Sequence, residues 1–154
     1  MQYQINLKIQ PRFAQAVDRA ALRRAARAAL EQQHAPGPAA LTLAIADDAA
    51  LHRLNREFLD EDHPTDVLSF PEGGSDLDTG RRYFGDIVIS LPTARRQARA
   101  ARHALEDELR LLVAHGVLHL LGHDHARPRE RARMWKAQDE ILAQLQSDRP
   151  LKRR

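Results

Sequence analysis

The chain has 154 residues, of which 24 are Lys or Arg and 21 are Asp or Glu, and its formal net charge is +3. This length fits one domain, and an ordinary hydrophobic content without an apolar run of membrane-spanning length predicts a soluble, cytoplasmic protein. The absence of cysteine excludes disulfides, thiolate metal sites and thiol nucleophiles, so any metal must be held by histidine or carboxylate. The mild basic excess permits a nucleic-acid partner but is weak support for one.

The first part of the chain predicts two strands, each followed by a helix. Residues 1–10 alternate apolar and polar side chains, which is typical of a half-buried strand. Helical spacing covers residues 11–34, and alternation returns in LTLAIAD, residues 41–47. Asp47 or Asp48 can cap the helix that follows.

The second part predicts two further strands and three helices. VLSF, residues 67–70, and YFGDIVISL, residues 83–91, are rich in β-formers, and a polar loop containing glycine separates them. Helical patterns then begin at Pro92, around Leu105 and near Pro128.

This order of elements predicts a single α/β domain of the α+β kind over residues 1–148. We expect a small, mixed, four-stranded sheet packed with about five helices. Residues 149–154 form a basic C-terminal tail that we expect to lie outside the domain.

The stretch HGVLHLLGHDH, residues 115–125, holds four of the eight histidines of the chain. His115 and His119 are four apart on a predicted helix, which places their imidazoles on one face with Cβ atoms about 5 to 6 Å apart. His123 lies too far along an unbroken helix to share an ion with His115. Gly122 lets the chain fold back, so His125 is the predicted third ligand. The complete spacing, H-x-x-x-H-x-x-G-x-x-H, predicts a zincin-like metal helix.

This stretch is also compatible with two other interpretations. A histidine on an apolar helix face is usually a core residue whose imidazole is satisfied by a hydrogen bond. A zinc protease would place a glutamate after the first histidine as the general base, whereas this chain has Gly116 there. Three imidazoles still leave an open coordination position, so the pattern predicts metal-assisted hydrolysis with an unassigned base.

Three segments of the sequence resemble the bacterial YbeY endoribonucleases. HGVLHLLGHDH is similar to their HGxLHLxGxDH motif, LNREFLDEDHPTDVLSFP (Leu54–Pro71) to their LNxxYRxxDxPTDVLSFP segment, and GDIVIS (Gly85–Ser90) to their GDIxI strand. The resemblance implies a zinc-dependent, single-strand-specific endoribonuclease that matures the 3′ end of 16S ribosomal RNA and acts in ribosome quality control. It implies that His115, His119 and His125 bind one zinc ion.

The resemblance also implies the partners of the protein. They are ribosomal RNA, the small ribosomal subunit and its assembly factors, and neither a membrane nor DNA is expected. The sequence also permits two alternatives: a metal-binding ribosome assembly factor without nuclease activity of its own, and a zinc hydrolase of another substrate.

Five further positions bear on the site. Many family members carry an arginine where this chain has Leu59, and Arg53 or Arg56 could supply the missing contact to phosphate. The ordinary explanation of both arginines is a solvated helix face. Asp66 and Asp86 lie beside strands expected near the histidine helix, where they could act in catalysis by orienting a ligand or a loop. Capping of turns explains these two carboxylates equally well.

Contacts to the rest of an RNA are harder to predict. Arginines at helical spacing form two rows that could lie along an RNA backbone, namely Arg19, Arg23 and Arg27, and Arg95, Arg99 and Arg102. Solvated faces are the commoner explanation of such rows. Aromatic residues make up 5% of the chain, and no base-stacking platform is evident, so we expect recognition to rest on backbone charge and protein partners.

Overall fold

The computed structural model describes residues 2–59, 65–75 and 80–147. The tail predicted at 149–154 lies outside them. The strands are β1 (Tyr3–Ile9), β2 (Ala39–Ala46), β3 (Val67–Pro71) and β4 (Arg82–Ser90). The α-helices are α1 (Arg19–Gln32), α2 (Asp48–Leu59), α3 (Leu91–Ala101), α4 (Leu105–Leu120) and α5 (Pro128–Ser147).

The four strands form one mixed sheet in the order β1-β2-β4-β3. β1 and β4 run parallel to β2, and β3 pairs antiparallel with β4 at the edge. The parallel pairs are joined by helical crossovers, which such pairs require. The structure confirms the predicted α+β domain with a mixed four-stranded sheet.

α4 is the central helix of the main core. Beyond its charged first two turns it is apolar on most sides, so it must be covered on several sides. It contacts α1, α3 and α5 and also packs against β3 and β4. Its residues Val113, Ala114, Val117 and Leu118 are fully buried. On the opposite face of the sheet, α2 covers a smaller cluster around Leu51.

A glycine sets how closely α4 approaches the sheet. A Cβ atom at Gly116 would lie 2.7 Å from Cγ2 of Ile87, whose side chain is fully buried on β4. Ser69 of β3 also donates a hydrogen bond to the Gly116 carbonyl oxygen at 3.2 Å. The position that lacks a protease base is therefore a packing position, and it fixes the histidine helix against the sheet.

The first helix begins later than its sequence pattern predicts. Helical spacing starts at Pro11, but Pro11–Phe13 form a short 3-10 helix and α1 begins at Arg19. The side chain of Asp18 accepts a hydrogen bond of 3.1 Å from the backbone N–H three residues later, as an N-cap does. The prediction of one helix from Pro11 is wrong, because this cap, and not the apolar spacing, defines where the helix starts.

At the start of α2 the structure distinguishes two neighbouring aspartates. Asp47 Oδ1 accepts from the Ala50 N–H at 2.8 Å and so caps the helix. Asp48 Oδ1 instead accepts from the hydroxyls of Ser90 and Thr93, each at 2.5 Å, and ties α2 to the start of α3. None of the helices in the described ranges has the length and apolar character needed to cross a membrane.

Candidate metal centre

Three imidazoles converge at the C-terminal end of α4. The Nε2 atoms of His115 and His119 lie 3.1 Å apart, and the ring of His125 has its centroid 5.3 Å from that of His119. One ligand nitrogen from each of the three lies within 4.8 Å of the others. His123 points elsewhere and donates to Oε1 of Gln33 at 2.6 Å. The structure brings together the three predicted histidines and leaves the fourth out.

The turn after α4 delivers the third histidine. Gly122 has a φ of +96°, a left-handed conformation that residues with a Cβ rarely adopt. The His123 N–H then bonds back to the Leu118 carbonyl oxygen at 3.0 Å, which reverses the chain. The Asp124 carboxylate accepts from the His125 N–H at 2.7 Å. Gly122 therefore has the role that the sequence predicts for it.

The three imidazoles fit one tetrahedral metal ion. With metal–nitrogen bonds of about 2.0 to 2.1 Å, two tetrahedral ligands lie roughly 3.3 to 3.4 Å apart. The Nε2 atoms of His115 and His119 already have close to this separation. Within the described part of the chain, no carboxylate joins the cluster. Such a set of three neutral ligands leaves a coordination position free, as in catalytic sites.

An amide on α5 orients one of the three histidines. Oε1 of Gln138 lies 3.3 Å from Nδ1 of His115. When the Nδ1–H group of His115 donates this bond, Nε2 is unprotonated and its lone pair points toward the other histidines. This tautomer is the one that binds a metal through Nε2. The sequence pattern places Gln138 only on the packed face of the last helix. Its role depends on how α5 crosses α4, which the pattern does not contain.

Burial keeps two of the imidazoles neutral. It lowers the pKa of His115, although the hydrogen bond to Gln138 and the negative charge of Asp66 oppose the shift. Burial and the neighbouring imidazoles of His115 and His125 lower the pKa of His119 to about 4. Since a metal binds only the unprotonated imidazole, these shifts favour metal binding at neutral pH.

We expect the metal-free protein to lose stability as the pH falls from about 6.5 toward about 4. His119 has a lower pKa in the folded protein than in the unfolded chain, so the unfolded chain binds more protons in this window. The contribution is fully present above the unfolded pKa and is lost as the pH falls toward the folded one. Urea unfolding between pH 7 and 4.5 measures the decline, and a His119→Gln variant should show a shallower one. If the stability of both proteins falls equally with pH, the decline does not come from the lowered pKa of His119.

The histidines open into a pocket of about 350 Å³. Its other walls are formed by the end of α2 and by β3 and the residues before it, namely Leu59, residues 65–69 and Pro71. Asp66 is the one carboxylate among the described lining residues, and the Gln97 amide donates to its Oδ2 at 3.3 Å. The structure thus brings Asp66 to the histidines, and its catalytic role stays a prediction.

Asp86 lies on the other face of the sheet. Its neighbour Ile87 faces Gly116 on α4, and side chains alternate along a strand, so the Asp86 carboxylate points away from the histidines. It accepts a hydrogen bond from the Tyr83 hydroxyl, whose pKa burial and this bond raise to about 12. The structure therefore places Asp86 outside the histidine site, and Asp86 caps no turn either, because it pairs with Thr42 and Phe70 inside β4. A nearly continuous apolar strand does not show in advance which face a residue takes.

The arginine candidates of α2 lie outside the pocket lining. Arg53 and Arg56 are exposed, and the α2 residue that reaches the pocket is Leu59, which is 47% exposed. Contacts of the two arginines with a substrate stay a prediction.

An exposed tryptophan lies beside the histidines, although the sequence pattern predicts that its side chain is buried. Trp135 falls on the apolar face of the predicted last helix, yet it is 42% exposed. Its ring lies nearly parallel to that of His125, with centroids 6.1 Å apart and planes inclined by 29°. Two features of the sequence point to this residue: it is the one tryptophan of the chain, and it lies ten residues after the predicted ligand His125.

Comparisons with known proteins identify the family of the chain. The family model described as Endoribonuclease YbeY matches residues 5–146. An Endoribonuclease YbeY of Myxococcus xanthus is 50% identical over 105 residues, which cover 68% of this chain and 36% of that longer protein. One from a Roseiflexus species is 41% identical over 147 residues, which cover 92% of each chain.

A solved structure shares the fold. The solution structure of a Thermotoga maritima protein superposes with a TM-score of 0.65 and 22% sequence identity, and the match covers 94% of this chain and 91% of that one. The family model covers most of the chain. The sequence identities to the two relatives are about twice the identity to the solved structure. The chain therefore belongs to the YbeY endoribonuclease family.

Proposed function

We propose that the protein is a zinc-dependent endoribonuclease that cleaves single-stranded ribosomal RNA. Its substrate is the 3′ end of the 16S ribosomal RNA precursor, and it acts in the cytoplasm with the small ribosomal subunit and its assembly factors, in maturation and quality control. Membership of the family supports the endoribonuclease role. The observation that carries the metal dependence is the convergence of three histidine nitrogens within 4.8 Å at the wall of an open pocket.

His115, His119 and His125 would hold the metal. A zinc ion bound there supplies a Lewis acid for a phosphoryl oxygen and lowers the pKa of a bound water to about 7. The chain itself prepares the site: burial keeps His119 unprotonated, and the amide of Gln138 selects the tautomer of His115. His115 and His119 therefore need not lose a proton when a metal binds at neutral pH.

Asp66 is our candidate for the group that accepts a proton during hydrolysis. Among the described residues that line the pocket, it is the one carboxylate. Its negative charge acts to raise the pKa of His115. The Gln97 amide holds one carboxylate oxygen. A carboxylate within reach of the substrate through one water meets the geometric requirement for a general base.

The open side of the site favours catalysis over a purely structural metal. A structural zinc site usually has four protein ligands, whereas three are found in the part of the chain that the structure describes. An assembly factor with a structural metal would have the fourth position filled. A peptide hydrolase is disfavoured by Gly116, which leaves no glutamate next to the first ligand.

The test is cleavage of a single-stranded oligoribonucleotide with the sequence of the 16S 3′ precursor by purified protein of known zinc content. We expect a chelator to abolish cleavage and added zinc to restore it. The same strand in a duplex, and single-stranded DNA of the same sequence, should resist. A His115→Ala, His119→Ala double variant is the control for contaminating nucleases, and equal cleavage by that variant would refute the proposal.

A further inference from the structure

The indole of Trp135 borders two of the three histidines. Its centroid lies 6.1 Å from that of His125 and 6.2 Å from that of His115. Its neighbours on α5 toward the core, Met134 and Ala137, are 0% and 6% exposed. Trp135 itself is 42% exposed, so a large part of the ring contacts no described part of the protein.

A positive charge lies on the same side of α5. Arg131 precedes Trp135 by four residues, which places the two side chains one helical turn apart on one face. Its Nε–H donates to the backbone oxygen of His125 at 3.2 Å, while the residue stays exposed. An aromatic plane and a guanidinium thus lie together at the edge of the histidine site.

The described walls of the pocket offer little else to hold a nucleic acid. No Lys or Arg is among the described residues that line it, and the wall formed by α2 carries the half-exposed Leu59. Apart from the three histidines, no described residue of the lining has an aromatic side chain on which a base could stack. The exposed indole supplies a surface for such a contact.

We propose that Trp135 is a stacking platform for one base of the RNA, next to the phosphodiester that enters the pocket, with Arg131 against an adjoining phosphate. This inference rests on the proposed function, since it takes RNA as the substrate. Every base has a π-face, so stacking on an indole tolerates any sequence. A base inside a duplex is already stacked on its neighbours. A platform at this position therefore selects single strands without reading their sequence.

The fluorescence of the protein tests the proposal directly, because the chain has one tryptophan. Zinc-loaded protein is mixed with a short single-stranded RNA in a stopped-flow instrument, so that binding is observed before cleavage. We expect saturable quenching by the single strand, and little by the same RNA in a duplex or by an abasic strand with the same phosphates. Equal quenching by the abasic strand would overturn the proposal.

Variants separate stacking from support of the metal site. Trp135→Ala should raise KM for the single strand about tenfold or more, with a smaller change in kcat, whereas Trp135→Phe should retain most of the affinity. Lys136→Ala, at the exposed neighbouring position, is the matched control and should behave like wild type. Each variant should retain one zinc per chain. Loss of zinc from Trp135→Ala, or an unchanged KM, would overturn the inference.

The result also distinguishes failure of this inference from failure of the proposed function. Cleavage of RNA without quenching of Trp135 rejects the platform and keeps the nuclease. Quenching by single strands without any cleavage keeps the platform and rejects the nuclease.

Discussion

Replacing His119 with alanine should abolish the proposed zinc binding and reduce cleavage of single-stranded RNA by more than about 100-fold, since mutation of even the outer partners of metal ligands costs about 10- to 100-fold in affinity or activity. His119 lies beside both other histidines: its Nε2 is 3.1 Å from that of His115, and its ring centroid is 5.3 Å from that of His125. Two imidazoles that remain cannot hold a catalytic zinc as three do. Zinc content per chain and the cleavage rate measure the two effects.

His123 provides a matched control for this substitution. It lies in the turn after α4 and is close in sequence to two of the ligands, but its Nε2 bonds to Gln33 at 2.6 Å. We expect His123→Ala to retain zinc and most of the cleavage rate. Loss of zinc from His123→Ala together with retention in His119→Ala would show that the ligand set is wrong.

Placing a glutamate at position 116 should destabilise the fold by more than about 3 kcal/mol, and it should not create a zinc protease. The new Cβ would lie 2.7 Å from Ile87 Cγ2. The rest of the glutamate side chain would place a charged carboxylate between α4 and β4. Gly116 and Ile87 are both buried, so neither helix nor strand can easily give way. Urea unfolding of the variant measures the loss.

Alanine at the same position isolates the steric part of this effect. A glycine-to-alanine change inside a helix gains about 1 kcal/mol in propensity, while an overpacked core loses about 1 to 3 kcal/mol. We expect Gly116→Ala to be less stable than wild type by about 1 kcal/mol as the net result. Gly73→Ala is the control, because a Cβ there meets no atom within 4 Å. A Gly116→Ala protein more stable than wild type would show that α4 is not held against β4 at this residue.

Most of the fold is predictable because its elements have strong local patterns. The alternation in β1 and β2 and the apolar character of α4 are properties of short segments, and their order fixes an α+β domain. The start of α1 was predicted too early because Phe13 continues the helical spacing, although it lies in a separate 3-10 helix. The capping side chain of Asp18 outweighs that spacing.

The convergence of the three histidines is predictable for the same reason, and their surroundings are not. His115 and His119 share a helix face by periodicity, and Gly122 accounts for His125. Gln138 and Trp135 reach the same site from another helix, so their placement depends on how α5 packs on α4. Patterns within one segment contain no information about such a crossing.

Titration of zinc into chelator-treated protein, with RNA cleavage followed at each addition, tests the central claim most directly. We expect cleavage to rise with added zinc and to saturate at one ion per chain, and a protein without His115 and His119 to stay inactive throughout. Full cleavage by the metal-free protein, or zinc-dependent cleavage by the protein that lacks both histidines, would contradict a catalytic metal held by these three residues.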